Sequence, residues 1–273
     1  LIAPTGGGKT LGGFLPSLIE LAGLAAATPK QRPHRLHTLY ISPLKALSVD
    51  VARNLTIPVA EMGLDLRIET RTGDTSPSKR QRQRASPPDI LLTTPEQLAL
   101  FCASPNVSTF FADLKHVVID EIHALAPQKR GDLLSLALAA ISRWAPRARR
   151  VGLSATIKDE AELARWLAQQ KPGEPERQAA IIRGAPGARP EVEILDPKER
   201  IPWAGHSARH AMGEVYGRIK AARLALVFVN TRSQAEFTFQ ELWRLNEDKL
   251  AIALHHGSLA PEQRRKVEAA MAA

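Results

Sequence analysis

The sequence Ala3-Pro4-Thr5-Gly6-Gly7-Gly8-Lys9-Thr10 decides the fold, because it joins a short apolar stub to a helical pattern. Glycines let the backbone curl so that its N–H groups face phosphate oxygens, and the helix start adds partial positive charge. Lys9 supplies a charge for β- and γ-phosphates, and the Thr10 hydroxyl is a ligand for Mg²⁺. The general pattern has glycine where Ala3 stands, so a glycine-rich turn with an incidental Gly-Lys-Thr remains the alternative.

A second signal is the apolar run His116–Ile119, which leads into the acidic residues Asp120 and Glu121. An unpaired buried carboxylate is costly, and ligands of open α/β sheets bind at the carboxyl ends of strands. Beside a phosphate loop, Asp120 would hold Mg²⁺, and Glu121 would orient and deprotonate an attacking water. The alternative is a pair of solvated acids that follow a strand.

Apolar, β-branched runs alternate with helical patterns along most of the chain. This alternation predicts an α/β fold in which a parallel sheet carries helices on both faces. The predicted strands are Leu36–Ile41, Leu66–Thr70, Ile90–Thr93, His116–Ile119, Arg150–Leu153 and Ala179–Ile182. The predicted helices include Leu11–Ala26, Lys45–Met62, Asp132–Trp144 and Glu160–Ala168.

The stretch Gly184–Pro190 has the composition of a linker and divides the chain into a domain at 1–189 and the start of a second at 190–273. After it, the pattern restarts with the predicted strands Glu191–Leu195, Ala225–Val229 and Leu250–Leu254, and ends in a helical pattern at Pro261–Ala273. The chain begins with Leu1 and reaches its phosphate loop after too short a strand. We therefore expect an internal fragment of a longer protein, the alternative being a complete protein with unusual ends.

The composition favours a polyanionic partner. Among 273 residues, 37 lysines and arginines outnumber 28 aspartates and glutamates, for a formal net charge of +9. The single cysteine, Cys102, excludes an internal disulfide and cysteine-rich zinc sites. No apolar run approaches the roughly 18 residues of a membrane helix, and no signal peptide is seen. These features predict a cytoplasmic protein that faces nucleic acid and has no membrane partner.

Several motifs in this order resemble those of superfamily 2 helicases. The phosphate loop, Asp120-Glu121-Ile122-His123 and Ser154-Ala155-Thr156 resemble motifs I, II and III, and motif I of that family often begins with alanine. These motif sequences are most similar to those of the large helicase-related proteins, and in particular to their ligase-associated DEXH-box branch. Further segments that carry the resemblance are Ile41–Leu47, Ile68–Thr75, Thr93–Leu98, Pro202–Ser207, Leu226–Arg232 and Leu254–Leu259.

The resemblance implies a RecA-like ATP-binding domain at 1–189, lacking its N-terminal part, and an incomplete second RecA-like domain at 190–273. It implies ATP and Mg²⁺ as cofactors, held by Thr5, Gly6, Gly7, Gly8, Lys9 and Thr10, with Asp120 as a second metal ligand. Catalysis would involve Lys9, Asp120, Glu121 and His123, and coupling to strand movement Ser154 and Thr156. Motifs V and VI, with an arginine that stabilises the transferred phosphoryl group, are absent, so we expect little ATP hydrolysis by this chain alone.

The activity implied is that of an ATP-dependent helicase or translocase acting on DNA in repair, with a DNA ligase or nuclease as a possible partner. Two alternatives remain open. One is a DEXH-type RNA helicase, and the other is an ATP-gated clamp that binds nucleic acid without unwinding it.

Pairs such as Ser42-Pro43 and Thr94-Pro95 follow a strand and precede a helix, where serine or threonine caps the helix and proline fits its first turn. Backbone N–H groups exposed there can hold a phosphate, so we expect sequence-independent binding. Plain helix capping is the alternative. With the resemblance, the predicted nucleic-acid residues are Ser42, Pro43, Lys45, Arg71, Thr72, Gly73, Thr94, Pro95, Asn230, Thr231, Arg232, His256 and Gly257. The basic clusters Lys79–Arg84 and Arg147–Arg150 either extend this surface or are solvated faces.

Overall fold

A computed structural model describes residues 1–27, 35–105, 107–171, 173–187, 189–196 and 208–272. The chain divides into two compact units, 1–189 and 190–273, which are described separately below. The segment Pro202–Ser207, quoted above for its resemblance, lies outside the described residues. Within them, no helix combines the length and the apolar character needed to cross a lipid bilayer.

The first unit is built on a parallel sheet, as predicted, and the sheet has five strands. Its strands lie in the order β2-β3-β1-β4-β5. The strand bounds are β1 Thr38–Ile41, β2 Ile68–Arg71, β3 Ile90–Thr93, β4 His116–Ile119 and β5 Arg149–Gly152. The helices are α1 Lys9–Ala27, α2 Lys45–Glu61, α3 Pro77–Ala85, α4 Pro95–Cys102, α5 Val107–Phe111, α6 Ile122–Leu125, α7 Lys129–Trp144 and α8 Glu160–Leu167. The α/β fold class is confirmed.

All five strands end in the same lateral row. In the strand pairing, Arg71 lies beside Thr93, Thr93 beside Ile41, Ile41 beside Ile119, and Ile119 beside Gly152. Because the strands are parallel, the residues that follow these five ends emerge at one edge of the sheet. This edge is called the carboxyl edge below.

The sheet is covered on both faces, and its strands alternate between two apolar clusters. Leu39 of β1 belongs to the cluster formed with α4, α5 and α7, whereas Tyr40 belongs to the cluster formed with α1 and α2. In β4, Val117 and Val118 divide in the same way. Burial on both faces explains why these strands are continuous apolar runs without polar alternation.

The stub Leu1–Ala3 lies at the β5 side of the sheet. Ile2 forms single parallel bridges to Ser154 and Arg183. The predicted strand Ala179–Ile182 is therefore wrong as a strand, although the Ile182 carbonyl accepts a 2.9 Å hydrogen bond from the Ile2 amide. The neighbouring stub Leu1–Ala3 has three residues, which offer too few backbone groups for a regular ladder of hydrogen bonds.

The second unit contains helices but, in its described part, no strand. Its helices are α9 Met212–Ala221, α10 Arg232–Leu245 and α11 Pro261–Ala272. Met212, Tyr216 and Leu242 form a small buried cluster between α9 and α10. The predicted strands Glu191–Leu195, Ala225–Val229 and Leu250–Leu254 are wrong: they have no ladder partner among the described residues, and apolar side chains such as Phe228 (88% exposed) face solvent.

The close packing of α7 makes a testable prediction about stability. A Cβ added at Gly131 would lie 2.6 Å from the Ala126 carbonyl oxygen and closer still to that of Leu125. We expect Gly131→Ala to lower the free energy of unfolding by roughly 1–3 kcal/mol, the usual cost of overpacking. The measurement is the midpoint of urea denaturation.

Gly23→Ala is the matched control, since Gly23 is also in a helix of the first unit and a Cβ there meets nothing within 4 Å. It should raise the free energy of unfolding by about 0.5–1 kcal/mol. Equal effects of the two variants would contradict the packing described here.

Candidate functional site

The phosphate loop curls around its own lysine. The Lys9 ammonium donates to the carbonyl oxygens of Ala3 (2.8 Å) and Pro4 (3.1 Å), and the Gly7 amide also donates to the Pro4 carbonyl (3.0 Å). Lys9 is 9% exposed. An ammonium group has three donors, so one remains for a ligand in the loop.

The loop's glycines leave room for an anion. Gly6 (φ 80°) and Gly8 (φ 73°) have left-handed backbones, and a Cβ at either position would enter open space. At Gly7, in contrast, a Cβ would lie 2.9 Å from the Pro4 carbonyl oxygen. Helix α1 begins at Lys9, and the amides of a first helical turn have no intrahelical acceptor. The residues present therefore fit a phosphate group.

Asp120 follows β4 at the carboxyl edge and is 7% exposed. Its Oδ1 accepts from the Glu121 amide (2.9 Å), and its Oδ2 accepts a short hydrogen bond from the hydroxyl of Tyr40, a fully buried residue of β1. Burial, followed by the negative charge of Asp120, raises the pKa of Tyr40 far above its usual value. Tyr40 therefore stays a donor at all ordinary pH values and fixes one carboxylate oxygen.

Glu121 and His123 are joined to the segment after β5. Glu121 has a left-handed backbone (φ 47°), and its Oε2 lies 3.4 Å from Nδ1 of His123. The same Nδ1 lies 2.7 Å from Oγ of the buried Ser154, whose hydroxyl donates to the Thr156 carbonyl (2.8 Å). Since Ser154 has a single hydroxyl proton and uses it on Thr156, His123 must donate from Nδ1. This arrangement leaves Nε2 of His123 as the ring nitrogen for other partners.

Backbone hydrogen bonds hold the three motifs together. The Ala3 amide donates to the Ser154 carbonyl, and the Ser154 amide donates to the Leu1 carbonyl, both at 3.1 Å. The Ile122 amide donates to the Leu153 carbonyl, also at 3.1 Å. The phosphate loop, the acidic pair and Ser154 are thus brought to one region of the carboxyl edge.

The predicted nucleic-acid residues of the first unit occupy the other half of this edge. Thr72, Thr94 and Ser42 follow β2, β3 and β1 and are buried. Thr94 is the N-cap of α4, with Pro95 in the first turn, as predicted, although its side chain makes no capping bond. For Ser42 the capping prediction is wrong: α2 begins at Lys45, after an extended Leu44, and the Ser42 hydroxyl accepts from the Leu44 amide at 3.4 Å.

Lys45 reaches the loop after β2. Its ammonium lies 3.0 Å from Asp74 in an exposed ion pair and packs against Gly73. The structure thereby joins two predicted segments that are distant in sequence. Both Lys45 and Gly73 are exposed, so this pair is accessible to a ligand.

Arg71 is placed differently from the prediction, because its guanidinium is buried. It lies 4.1 Å above the ring of Phe101 and bonds the Arg80 carbonyl and the Gln83 side chain. Burial, with the positive charges of Arg84 and Arg80, lowers the pKa of Arg71 to about 10. A phosphate contact by Arg71 stays a prediction, since its side chain also lines a pocket with Arg80 and Arg84.

The basic cluster Lys79–Arg84 lies on α3 and is largely used inside the unit. Arg80 donates to the Thr72 (3.1 Å) and Gly73 (3.0 Å) carbonyls, which shapes the loop after β2. Arg82 donates to both oxygens of Glu69 at 2.9 Å. Burial alone would raise the pKa of Glu69, but hydrogen bonds from Gln83, Arg67 and Arg82 hold it below its usual value. In the second cluster, Arg150 bonds the Leu138 and Leu167 carbonyls and so ties α7 and α8 to β5.

In the second unit, the two predicted groups lie against each other. Thr231 caps α10, since its hydroxyl accepts from the Gln234 amide (3.1 Å), and the Asn230 amide donates back to the Gln234 side chain (3.2 Å). Arg232 donates a short hydrogen bond to Ser258, next to Gly257. His256 is mostly buried and lies 3.3 Å from Glu236 of α10.

Sequence reasoning missed two residues of the carboxyl edge. In the sequence, Tyr40 looks like any other core residue of β1, and only its hydrogen bond to Asp120 shows its role. Arg130 donates to Glu96 (2.5 Å) and to the Pro43 carbonyl (2.8 Å), and thereby joins the segments after β1 and β3. A lone arginine at the start of a helix carries no signal for such a contact.

Comparisons with known proteins agree with this geometry. The model of the DEAD/DEAH box helicase family matches residues 1–164. The ATP-dependent helicase Lhr-Core of Methanocaldococcus jannaschii is 36% identical over 98% of this chain, which spans 32% of that relative. The predicted resemblance to superfamily 2 helicases of the large helicase-related type is confirmed.

Solved structures give the same result. Helicase Lhr of Mycobacterium smegmatis, bound to single-stranded DNA and AMP-PNP, superimposes with a TM-score of 0.76 at 33% identity, covering 98% of this chain and 35% of that one. The DUF1998 helicase MrfA, bound to DNA and AMPPNP, superimposes with a TM-score of 0.73 at 25% identity, covering 99% and 37%. The chain therefore spans about a third of these longer proteins.

The bond between Tyr40 and Asp120 can be tested by Tyr40→Phe, which keeps the ring that stacks on Phe14. We expect the free energy of unfolding to fall by about 2 kcal/mol, the range for a hydrogen bond to a charged acceptor. Urea denaturation measures the change. In an Asp120→Ala background the same substitution should cost much less, because the hydroxyl has already lost its charged acceptor; equal costs in both backgrounds would refute the coupling.

Proposed function

Because this chain belongs to the DEAD/DEAH box helicase family, we propose that it forms the ATP-binding part of a helicase or translocase that moves along DNA. The observation that carries the proposal is the set of hydrogen bonds from the phosphate loop through Ser154 to His123, which in turn lies 3.4 Å from the Glu121 carboxylate. If the phosphate loop were only a structural turn and the acidic pair only two solvated side chains, no such connection between them would be expected. The names of the relatives support the same function.

We assign ATP to the phosphate loop. The open sides of Gly6 and Gly8 and the first turn of α1 would hold its phosphates, with the remaining Lys9 donor on the β- and γ-phosphates. Thr10 and Asp120 offer hard oxygen ligands of the kind that Mg²⁺ prefers. Bound there, Mg²⁺ would neutralise phosphate charge.

Hydrolysis would depend on Glu121 and His123. The Glu121 side chain is 32% exposed, and Oε1, the oxygen that is not paired with His123, would orient a water and accept its proton. His123 is held by Ser154 through Nδ1, so its Nε2 is available to respond to the phosphate side of the site. We propose that movement of His123 is passed through Ser154 to the Thr156 segment, which couples hydrolysis to strand movement.

Nucleic acid would lie along the other half of the carboxyl edge. The exposed Lys45 and Gly73 and the amides at the start of α4 would contact phosphates there, which carry no direct sequence information. In the second unit, taken by itself, the capped start of α10 would also contact a phosphate. DNA is the favoured strand, because two solved relatives were captured with DNA. We further propose that the chain belongs to the ligase-associated branch and that its partner is a DNA ligase or a nuclease. We also propose that it acts in DNA repair in the cytoplasm.

Nucleotide binding tests the ATP site directly on this chain. We expect Lys9→Ala to weaken the affinity for a fluorescent ATP analogue by about tenfold or more, equivalent to 1.4 kcal/mol. Glu121→Gln, in contrast, should leave that affinity within about twofold, because Glu121 is proposed to act on water and not on the nucleotide. An unchanged affinity of the Lys9→Ala variant for the ATP analogue would contradict the proposed nucleotide site.

Turnover is measured in a full-length protein that carries the same substitutions. There Glu121→Gln should abolish hydrolysis, and stimulation by DNA over RNA of the same sequence would separate the DNA motor from an RNA helicase. A strand-displacement assay separates a motor from a clamp.

DNA binding tests the role of Lys45. We expect Lys45→Ala to weaken binding of single-stranded DNA about equally for every sequence, and to reduce the slope of log affinity against log salt by about 0.7, as for one lost phosphate contact. Fluorescence anisotropy at several salt concentrations measures both.

The matched control for this measurement is Lys171→Ala. Lys171 is also an exposed lysine in an ion pair, 3.4 Å from Glu174, but lies outside the carboxyl edge. A loss for Lys45→Ala that depends on DNA sequence, or equal losses for the two variants, would contradict the proposed contact.

A further inference from the structure

Three potential metal ligands meet at the amino-terminal edge of the sheet. Glu20 lies on α1, His37 directly precedes β1, and His116 is the first residue of β4. Oε2 of Glu20 lies 3.0 Å from Nε2 of His116 and 3.4 Å from Nε2 of His37. The three ligand atoms all lie within 4.8 Å of one another. This His37–His116–Glu20 cluster plays no part in the function proposed above.

We propose that the His37–His116–Glu20 cluster binds a divalent transition-metal ion such as Zn²⁺. Two imidazole nitrogens and one carboxylate form a donor set that suits zinc and leaves a fourth position for water. Ligands about 2.1 Å from a tetrahedral Zn²⁺ are separated by roughly 3.4 Å. The separations of 3.0 and 3.4 Å are close to this value, so a small movement of the Glu20 side chain admits the ion.

Burial supports a preorganised site. The side chains of His37 and His116 are 7% and 3% exposed, whereas Glu20 is 41% exposed, so solvent reaches the site from the carboxylate side. Backbone pairing fixes both histidines, because the amides of Lys115 and His116 donate to the His37 carbonyl at 2.9 and 3.1 Å. The backbone positions of the two histidines therefore do not have to be ordered when an ion binds, and only the Glu20 side chain moves.

The surroundings of His37 accommodate the proton that metal binding displaces. Its Nδ1 lies 2.9 Å from the Thr38 hydroxyl and 3.4 Å from that of Ser17, and these two hydroxyls also bond each other. Hydroxyl groups both donate and accept. When Nε2 holds a metal, Nδ1–H can donate to Thr38, which is the outer contact that metal-bound histidines usually make.

The proposed metal is distinct from the Mg²⁺ of the nucleotide site. His116, at the start of β4, and Asp120, just after its end, are four positions apart, which is about 13 Å at 3.3 Å per residue. An ion on this cluster would fasten α1, the helix that begins with Lys9 and Thr10, to the bases of β1 and β4. Its role would therefore be structural, and the inference does not depend on the proposed function.

The test is metal uptake by the tag-free chain, stripped with a chelator and kept in excess Mg²⁺. Co²⁺ is titrated while its visible absorption is recorded, and Zn²⁺ is then added. We expect one equivalent of Co²⁺ to give a saturable spectrum, Zn²⁺ to displace it, and the thermal midpoint to rise with Zn²⁺ up to saturation. No spectrum and no thermal shift in the wild-type chain would overturn the proposal.

Substitutions locate the ion. Glu20→Gln and His116→Gln should each weaken Co²⁺ binding about tenfold or more, since each removes one of three protein ligands. His255→Gln is the matched control: His255 pairs with Glu268 at 2.9 Å but belongs to no three-ligand cluster in the described part of the chain. Equal affinity in all three variants would refute the assignment.

A measurement on the wild-type chain does not depend on the variants folding. The ring nitrogen resonances of His37 and His116 should shift on Zn²⁺ addition, while those of His123 and His255 should stay in place. Shifts confined to other histidines would mean that Zn²⁺ binds elsewhere, and would overturn the proposal.

Discussion

The common register of five parallel strands is the constraint on which the first unit depends. Arg71, Thr93, Ile41, Ile119 and Gly152 lie side by side, so the segments that follow them must leave the sheet together. A shift of one strand by one residue would exchange its two faces and move its terminal side chain away from the edge. The two apolar clusters prevent such a shift in the central strands β1, β3 and β4, because each of these strands buries alternate residues in both.

Buried polar groups at this edge are satisfied in pairs, and the pairs connect the motifs. Asp120 is held by Tyr40, and His123 by Ser154, so two groups with proposed catalytic roles are oriented by the hydroxyl groups of neighbouring side chains. A buried polar group without a partner costs about 1–3 kcal/mol, which makes this network part of the stability of the unit. Function and stability share the same hydrogen bonds here, and substitutions at Tyr40 or Ser154 affect both.

The cations of the first unit differ in what they contact. Arg71, Arg80 and Arg150 bond carbonyls or stack on an aromatic ring, and they build loops and helix contacts. Lys45, in an exposed ion pair, keeps a charge that a phosphate can reach. Part of the sequence's excess of positive charge is therefore used in contacts within the unit. The His37–His116–Glu20 cluster lies at the opposite edge of the sheet and includes a residue of α1, the helix that begins with Lys9.

The sequence by itself determined the parallel α/β fold, the phosphate loop and the acidic pair, because burial on both faces and the needs of phosphate binding impose local patterns. It correctly placed β3 and β4 to the residue and assigned the helicase family. It failed for Ala225–Val229, since an apolar run becomes a strand only when a neighbour pairs with it. Only the tertiary structure decided that Tyr40 binds Asp120, that Arg71 is buried, and that Glu20 meets two histidines. These contacts join residues far apart in sequence, and no local pattern encodes the distance between them.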